Sequence, residues 1–193
     1  MDEVLPRRLV AHELTAEKTL AVLDRRDGCD GAVGGGASED VRDALADLGN
    51  LEVDRVAMHP GSVQGFGQLG RDEVPTFLLP SNPVSALVVF EVMVRPLIRI
   101  ALGRRQPMRR VVTARTVAPI TSIEHRKGFL RGQLMRDEAT GEYLVQALGG
   151  APGASSHLLA TLAEANCLVL IDPEITEVRT GDQVDVAFLA QRG

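Results

Sequence analysis

A run of three glycines is the first place where the sequence offers chemistry. Gly34, Gly35 and Gly36 follow a short apolar stretch, and Ala37 and Ser38 come directly after them. Glycine backbones turn with positive φ and expose successive N–H groups, so such a loop before a helix suits a phosphate or another oxyanion. The run has neither the lysine of a P-loop nor the glycine spacing of a dinucleotide fingerprint. Taken alone, a flexible turn explains it equally well.

A second junction between a strand and a helix also carries polar residues. Leu79 leads into Pro80, Ser81 and Asn82, and Ser85 follows in the first turn of the predicted helix. One interpretation is a second anion cradle at the carboxyl end of the sheet, where ligands of open α/β folds bind. The other, which the spacing alone favours, is the capped start of a buried helix with Asn82 as its N-cap.

A third segment joins a strand to a Pro-Gly turn. Its polar side chains are His59 and Ser62, on either side of Pro60 and Gly61. A loop of this kind at the end of a strand either contacts a ligand or is a plain turn, and the residues alone favour neither.

The elements that must position these three loops indicate an α/β domain with a largely parallel sheet over the first hundred residues. Short strands are predicted at 9–11 and 31–33, with a helix from Thr15 to about Arg26 and a second helix from Ser38 that Gly49 ends. Three further strands are predicted at Leu51–Met58, Gln64–Leu69 and Val74–Leu79, with a hairpin turn at 70–73 between the last two.

A change of character near residue 103 predicts a second domain. The helix before it, from Pro83 to about Leu102, is almost wholly apolar, so we expect it to be buried and kinked at Pro96. A polar linker at 103–107 follows, and then a mostly β domain. Its predicted elements are the strands Arg110–Ala118, Gly128–Met135, Tyr143–Leu148, Cys167–Ile171 and Gln183–Leu189, a hairpin loop at 137–142 and a short helix at Ser156–Glu164.

The composition excludes several classes of protein. The 193 residues carry a net charge of -5, with five phenylalanines, one tyrosine and no tryptophan, which argues against nucleic-acid binding. The most apolar stretch, Val84–Val94, is too short to span a bilayer. Cys29 and Cys167 lack neighbours at metal-ligand spacing, so reduced thiols are expected. We therefore predict a soluble, cytoplasmic protein.

The order of these motifs resembles the C-terminal half of the MoeA and gephyrin E-domain family, the molybdopterin molybdenumtransferases. The most specific element is Leu-Pro-x-Asn-Pro-Val-Ser, which stands here at Leu79–Ser85. The other matching segments are Gly34–Ser38, Arg55–Ser62 with the following Phe66-Gly67, Phe90–Pro96, Ser155–Cys167 and Thr180–Val186. The resemblance covers about residues 7 to 190.

The resemblance implies a fold and a reaction. Residues 1–104 are expected to form a MogA-like molybdopterin-binding α/β domain, incomplete at its N-terminus, and 107–193 a small, mostly β, barrel-like domain. The implied reaction inserts molybdate into adenylylated molybdopterin and releases AMP, with Mg²⁺ as cofactor. The expected ligands are therefore molybdopterin or its adenylate and molybdate, with no nucleic acid and no membrane. A chain that supplies the family's two N-terminal domains, which we expect to be absent, and a homodimer both stay open.

The resemblance also implies roles for individual residues. Glu39 aligns with a family aspartate and is the expected catalytic carboxylate and Mg²⁺ ligand, although a carboxylate that serves the helix dipole fits as well. Arg55, in place of a usual lysine, is the expected catalytic cation, and Ser81 replaces a family glycine. The implied molybdopterin-binding residues are Gly34, Gly35, Gly36, Ser38, His59, Ser62, Pro80, Ser81, Asn82 and Ser85.

Two alternatives to an enzyme stay open. Fewer cations at the implied site and the side chain at Ser81 also fit a non-catalytic, gephyrin-like module that binds a partner peptide. A degenerate, truncated paralogue without activity is the third interpretation. Whether the chain is catalytically active is therefore left open.

Overall fold

The computed structural model describes Leu45, residues 47–148 and residues 163–189. The strands predicted at 9–11 and 31–33, the helix from Thr15, nearly all of the helix from Ser38 and most of the helix predicted at Ser156–Glu164 lie outside the described residues. The strands are β1 (Gly49–Arg55), β2 (Met58–His59), β3 (Val63–Leu69), β4 (Val74–Leu78), β5 (Val111–Thr116), β6 (Ile120–Thr121), β7 (Lys127–Arg136), β8 (Tyr143–Ala147), β9 (Cys167–Ile171), β10 (Glu177–Val178) and β11 (Gln183–Phe188). The helices are α1 (Pro83–Val89) and α2 (Arg95–Ala101), joined by a π-helical segment at Phe90–Val94.

The described residues form two compact units that alternate along the chain. The first contains the residues up to Asp54, Val63–Asn82 and Val89–Pro107. The second contains Arg55–Ser62, Pro83–Val88 and the described residues from Met108 onward.

The first unit contains a three-stranded sheet in the order β1-β3-β4. The predicted hairpin is confirmed, because β3 and β4 pair antiparallel, with Gly65 opposite Leu78. Leu78 is 1% exposed and packs against Leu45, Leu51, Val53 and Val63. Gly65 lies directly against the Leu78 side chain, so the hairpin has no room for a larger residue there.

A largely parallel sheet was expected here, but the described strands of this unit, β1, β3 and β4, form no parallel pair. Gly49 of β1 lies beside Leu69, and Gly67 of β3 lies beside Leu51, so β1 and β3 run in opposite directions. The other two strands predicted for this domain, at 9–11 and 31–33, lie outside the described residues.

The single strand predicted at Leu51–Met58 is wrong, because the chain turns after Arg55. The N–H of Val56 donates to the carbonyl of Ser62, and the N–H of Met58 donates to the carbonyl of Val56, both at 2.7 Å. These bonds use backbone groups that a continued strand would offer to a neighbour. Met58 then begins β2, which belongs to another sheet.

The helical run predicted from Pro83 is confirmed, and it ends at Ala101. Its geometry changes just before Pro96, where the N–H of Arg95 donates to the carbonyl of Phe90, five residues earlier. Proline has no N–H to continue the regular ladder, and a π turn is one way to accommodate that loss. The predicted burial is only partly right, because Val88 is fully buried whereas Ile100 is 59% exposed. An almost uniformly apolar helix gives no sequence signal for which face packs.

The second unit contains a closed five-stranded barrel. Its strands follow the order β7-β8-β5-β11-β9, and β9 also pairs with β7, which closes the ring. The predicted barrel-like fold is confirmed, and the predicted strand Cys167–Ile171 matches β9. The short strands β6 and β10 were not predicted. Buried core residues are Ala114, Ile120, Leu134, Val145, Cys167, Val169, Ile171, Val178, Val184 and Val186.

Asn166 joins two barrel strands through its side chain. Its Oδ1 accepts from the N–H of Leu134 at 2.7 Å, and its Nδ2 donates to the carbonyl of Leu134 at 3.0 Å. Cys167, next in sequence, is a free and fully buried thiol whose pKa is raised to about 12 by burial. The expectation of a reduced thiol at this position agrees with that setting. None of the described helices is long and apolar enough to cross a bilayer.

Candidate functional site

The glycine run and the predicted catalytic carboxylate cannot be placed. Gly34, Gly35, Gly36, Ser38 and Glu39 lie outside the described residues. Their roles as anion cradle and Mg²⁺ ligand therefore stay predictions.

The loop from Arg55 to Ser62 is the part of the predicted site that the structure builds in most detail. We call it the β1–β2 loop, and it includes β2 itself. The bond from Val56 N–H to the Ser62 carbonyl ties its two ends together, and Gly61 adopts a φ of 93°, which favours glycine. Arg55 is exposed where β1 ends, and Ser62 is half-buried. The turn predicted at Pro60-Gly61, with polar side chains on either side, is therefore confirmed.

This loop is anchored to the start of the long barrel strand β7. Met58 pairs with Lys127, and His59 pairs with Gly128, in parallel orientation. The N–H of Lys127 also donates to the carbonyl of Ala57 at 3.0 Å. The pairing brings together two segments that are nearly seventy residues apart in the chain.

His59 and Arg126 form the electrostatic centre of this region. Burial lowers the pKa of His59 below its ordinary value, and the positive charge of Arg126 lowers it further. Both effects favour the neutral form of the imidazole. Arg126 remains as a half-buried cation, and its guanidinium forms no ion pair or hydrogen bond with any residue in the described ranges.

Lys127 lies beside the same loop, but its charge is already paired. Its Nζ is 2.8 Å from Oδ1 of Asp172. Its backbone nevertheless contacts the loop, because the Lys127 N–H donates to the Ala57 carbonyl. A single sequence offers no local signal for either Arg126 or Lys127, because only the pairing of β2 with β7 brings them to the loop.

The residues of the Leu-Pro-x-Asn-Pro motif lie at the end of β4 and the start of α1. Pro80 and Ser81 are half-buried, Asn82 is exposed, and α1 begins at Pro83 as the N-cap interpretation predicts. Ser81, Asn82 and Ser85 each have an interaction partner. Ser85 is in the same unit as the β1–β2 loop, whereas Pro80, Ser81 and Asn82 are in the other.

The acidic side chains of the described residues have two features that matter for ion binding. No group of three or more His, Cys, Asp or Glu side chains with metal-ligand geometry occurs within the described ranges. An open groove of about 640 Å³ is lined by Lys127 and Asp172 and by the carboxylates of Glu177, Asp182 and Asp185. This concentration of carboxylates disfavours phosphate or molybdate in that groove.

Two family models match the chain in succession. The model of a probable molybdopterin binding domain matches residues 29–100. The model of the MoeA C-terminal region, domain IV, matches residues 113–189.

Known proteins give the same result. The chain is 76% identical over 163 residues to molybdopterin molybdenumtransferase 1 of Mycobacterium tuberculosis, which covers 84% of this chain and 38% of that protein. Molybdopterin molybdenumtransferase 2 of the same organism is 38% identical, with 81% of this chain and 38% of that protein covered. The chain thus spans well under half the length of these relatives.

Solved structures agree with the fold. The structure of a molybdopterin biosynthesis MoeA protein from Pyrococcus horikosii superimposes with a TM-score of 0.64 at 27% identity. It covers 81% of this chain and 36% of that one. A match over 81% of this chain must include residues of both predicted domains.

Proposed function

We propose, on the premise that this chain belongs to the MoeA family of molybdenum cofactor biosynthesis, that it binds molybdopterin or its adenylate for the insertion of molybdate. The proposal concerns ligand binding first, because the aligned part of the chain covers 38% of each of the two curated relatives described above. Molybdenum transfer by the complete protein is the reaction in which this binding takes part. A cytoplasmic location is part of the same proposal.

The observation that carries the proposal is the cation of Arg126, which lies next to the closed β1–β2 loop and has no ion-pair partner among the described residues. A half-buried guanidinium presents several N–H donors in a planar fork, which matches the oxygens of a phosphate or of molybdate. The neutral His59 imidazole beside it can donate or accept a hydrogen bond without adding charge. Arg126 thus supplies the fixed positive charge, and His59 and Ser62 supply neutral polar contacts.

The other motif residues keep their predicted roles in ligand binding. Backbone N–H groups of Gly34, Gly35 and Gly36, with Ser38, would hold a phosphate at a helix N-terminus. Pro80, Ser81, Asn82 and Ser85 would contact molybdopterin at the strand-to-helix junction, and Arg55 would add a second cation. These roles rest on the motifs and not on measured contacts.

A requirement for Mg²⁺ belongs to the proposal only through Glu39. The positive charge of Arg126 disfavours a divalent cation beside it. Bound Mg²⁺ would neutralise phosphate charge during transfer. A homodimer, or a second chain with the remaining family domains, is the proposed setting for catalysis.

Calorimetric titration with molybdopterin under anaerobic conditions tests the proposal. We expect the wild-type chain to bind, and Arg126→Ala to weaken binding about tenfold or more, the effect of losing one charged hydrogen bond. Arg136→Ala is the matched control, because Arg136 is an exposed arginine at the far end of β7, the strand that Arg126 precedes. No binding by folded wild-type protein at high micromolar ligand would refute the proposal.

A further inference from the structure

The segment that follows α2 is folded back on that helix. The sequence predicts a polar linker at 103–107, but its backbone is held by the end of the helix. The N–H of Gly103 donates to the carbonyl of Ile100 at 2.8 Å, and the N–H of Arg104 donates to the carbonyl of Arg99 at 2.9 Å. Gly103 has a φ of 70°. This pair of bonds, with glycine in the left-handed region, is a Schellman motif, which reverses the chain direction.

Two arginine side chains of α2 hold the part of the linker that follows. Nη1 of Arg95 donates to the carbonyl of Pro107 at 3.1 Å, and Nε of Arg99 donates to the carbonyl of Gln106 at 3.3 Å. Arg95 and Arg99 are four residues apart, so they lie on one face of the helix. Each captures one of two consecutive carbonyl groups.

Glu91 fixes the more buried of the two arginines. Its Oε2 is 3.7 Å from Nε of Arg95, and the side chains of Arg95 and Glu91 are only 15% and 9% exposed. A guanidinium that is held on one side by a carboxylate has few alternative rotamers. The entropic cost of holding Nη1 of Arg95 at the Pro107 carbonyl is therefore small.

We propose that Arg95 and Arg99 form a clamp that holds residues 103–107 as an ordered strap against α2. In this arrangement the connection between the two predicted domains is a latched segment and not a flexible tether. Opening the latch requires the two arginine–carbonyl bonds to break together with the Schellman turn. The inference is independent of the proposed function, since it concerns only the first unit.

Limited proteolysis with trypsin tests the clamp on the whole chain. Arg104 and Arg105 are exposed, but a protease needs an extended segment, so cleavage after them reports the fraction of open strap. We expect Arg95→Ala to increase the cleavage rate at these two bonds about fivefold or more, as the loss of one hydrogen bond predicts. Mass spectrometry identifies the cleaved bonds, so other tryptic sites do not confuse the result.

A second variant and a control keep the test decisive if Arg95→Ala fails to fold. Arg99→Ala removes a more exposed partner, and it should also increase cleavage while melting like the wild type. Arg71→Ala removes an exposed arginine of the β3–β4 turn and should leave the rate unchanged. The proposal would be overturned if a folded clamp variant were cleaved after Arg104 and Arg105 no faster than the wild type.

Discussion

At the scale of single residues, the proposed site depends on His59 and on Arg126, an arginine with no ion-pair partner among the described residues. The motifs of the sequence identified His59, but nothing around Arg126 resembles a binding motif. The two are 67 positions apart, and the parallel pairing of β2 with β7 brings them together. Local spacing in the sequence gives no signal for a contact between such distant segments. The motifs therefore did not identify Arg126 as a cation of the proposed site.

The electrostatic coupling of these two residues predicts a pKa change. Arg126→Ala should raise the pKa of His59, because it removes a positive charge that disfavours the imidazolium. The pKa should stay below the ordinary value, since burial is the larger cause and remains. Proton NMR titration of the histidine ring signals, with His59→Gln to assign the His59 signal, measures this change.

The same shift fixes the pH dependence of stability. The unfolded chain protonates His59 at its ordinary value of 6.5, whereas the folded chain does so only at lower pH. The unfolded state therefore binds more protons in between, so this contribution to stability is complete above pH 6.5 and is lost as the pH falls. A His59 pKa that is identical in wild type and Arg126→Ala would contradict the proximity of the two groups.

At the scale of elements, apolar patterning predicted most strands and the long helix. It succeeded at β3, β4 and β9, where alternating or continuous apolar runs end at clear turn residues. It failed at Leu51–Met58, because Val56, Ala57 and Met58 are apolar like a continuing strand although the chain turns at Val56. It also missed β6 and β10, which are two residues each and too short to show any period.

The element that positions the β1–β2 loop is the start of β7, and Gly128 is its most constrained residue. A Cβ at Gly128 would lie 2.8 Å from Oγ of Ser122 and 3.1 Å from Cβ of Ile171. Gly128→Ala should therefore lower the free energy of unfolding by about 1–3 kcal/mol. Urea denaturation measures this loss, and the larger part of it should come from the Ser122 contact.

A double mutant separates the two contacts. Oγ of Ser122 is buried without a hydrogen-bond partner among the described residues, so Ser122→Ala alone should be neutral or stabilising. Combined with Gly128→Ala, it should recover part of the lost stability because the closest clash disappears. Strictly additive effects would show that the two residues do not press on each other.

At the scale of the whole molecule, the chain carries two family regions in the order that the motifs predicted. The predicted boundaries at 104 and 107 stay predictions, since the compact units alternate along the chain and Arg55–Ser62 groups with the barrel. The β1–β2 loop therefore belongs to the barrel unit, because β2 pairs with the barrel strand β7. The sequence could not reveal this grouping, since residues 55–62 lie within the first family region.

Whole-molecule charge also restricts where an anion can bind. The net charge is -5, and Lys18 and Lys127 are the only lysines among 21 basic residues. Lys127 is paired with Asp172, so anion binding in the described part must depend on arginine and on backbone N–H groups. Arg55 belongs to the β1–β2 loop itself, and Arg126 is close enough to lower the pKa of His59 in that loop.

The measurement that tests this account most directly is the NMR signal of the His59 ring during titration of the whole chain with molybdopterin. We expect the His59 signal to shift in step with binding. We also expect the pKa of His59 to rise, because a bound phosphate offsets the charge of Arg126. Binding that is detected by calorimetry while the His59 signal and its pKa stay unchanged would contradict the placement of the ligand at this loop.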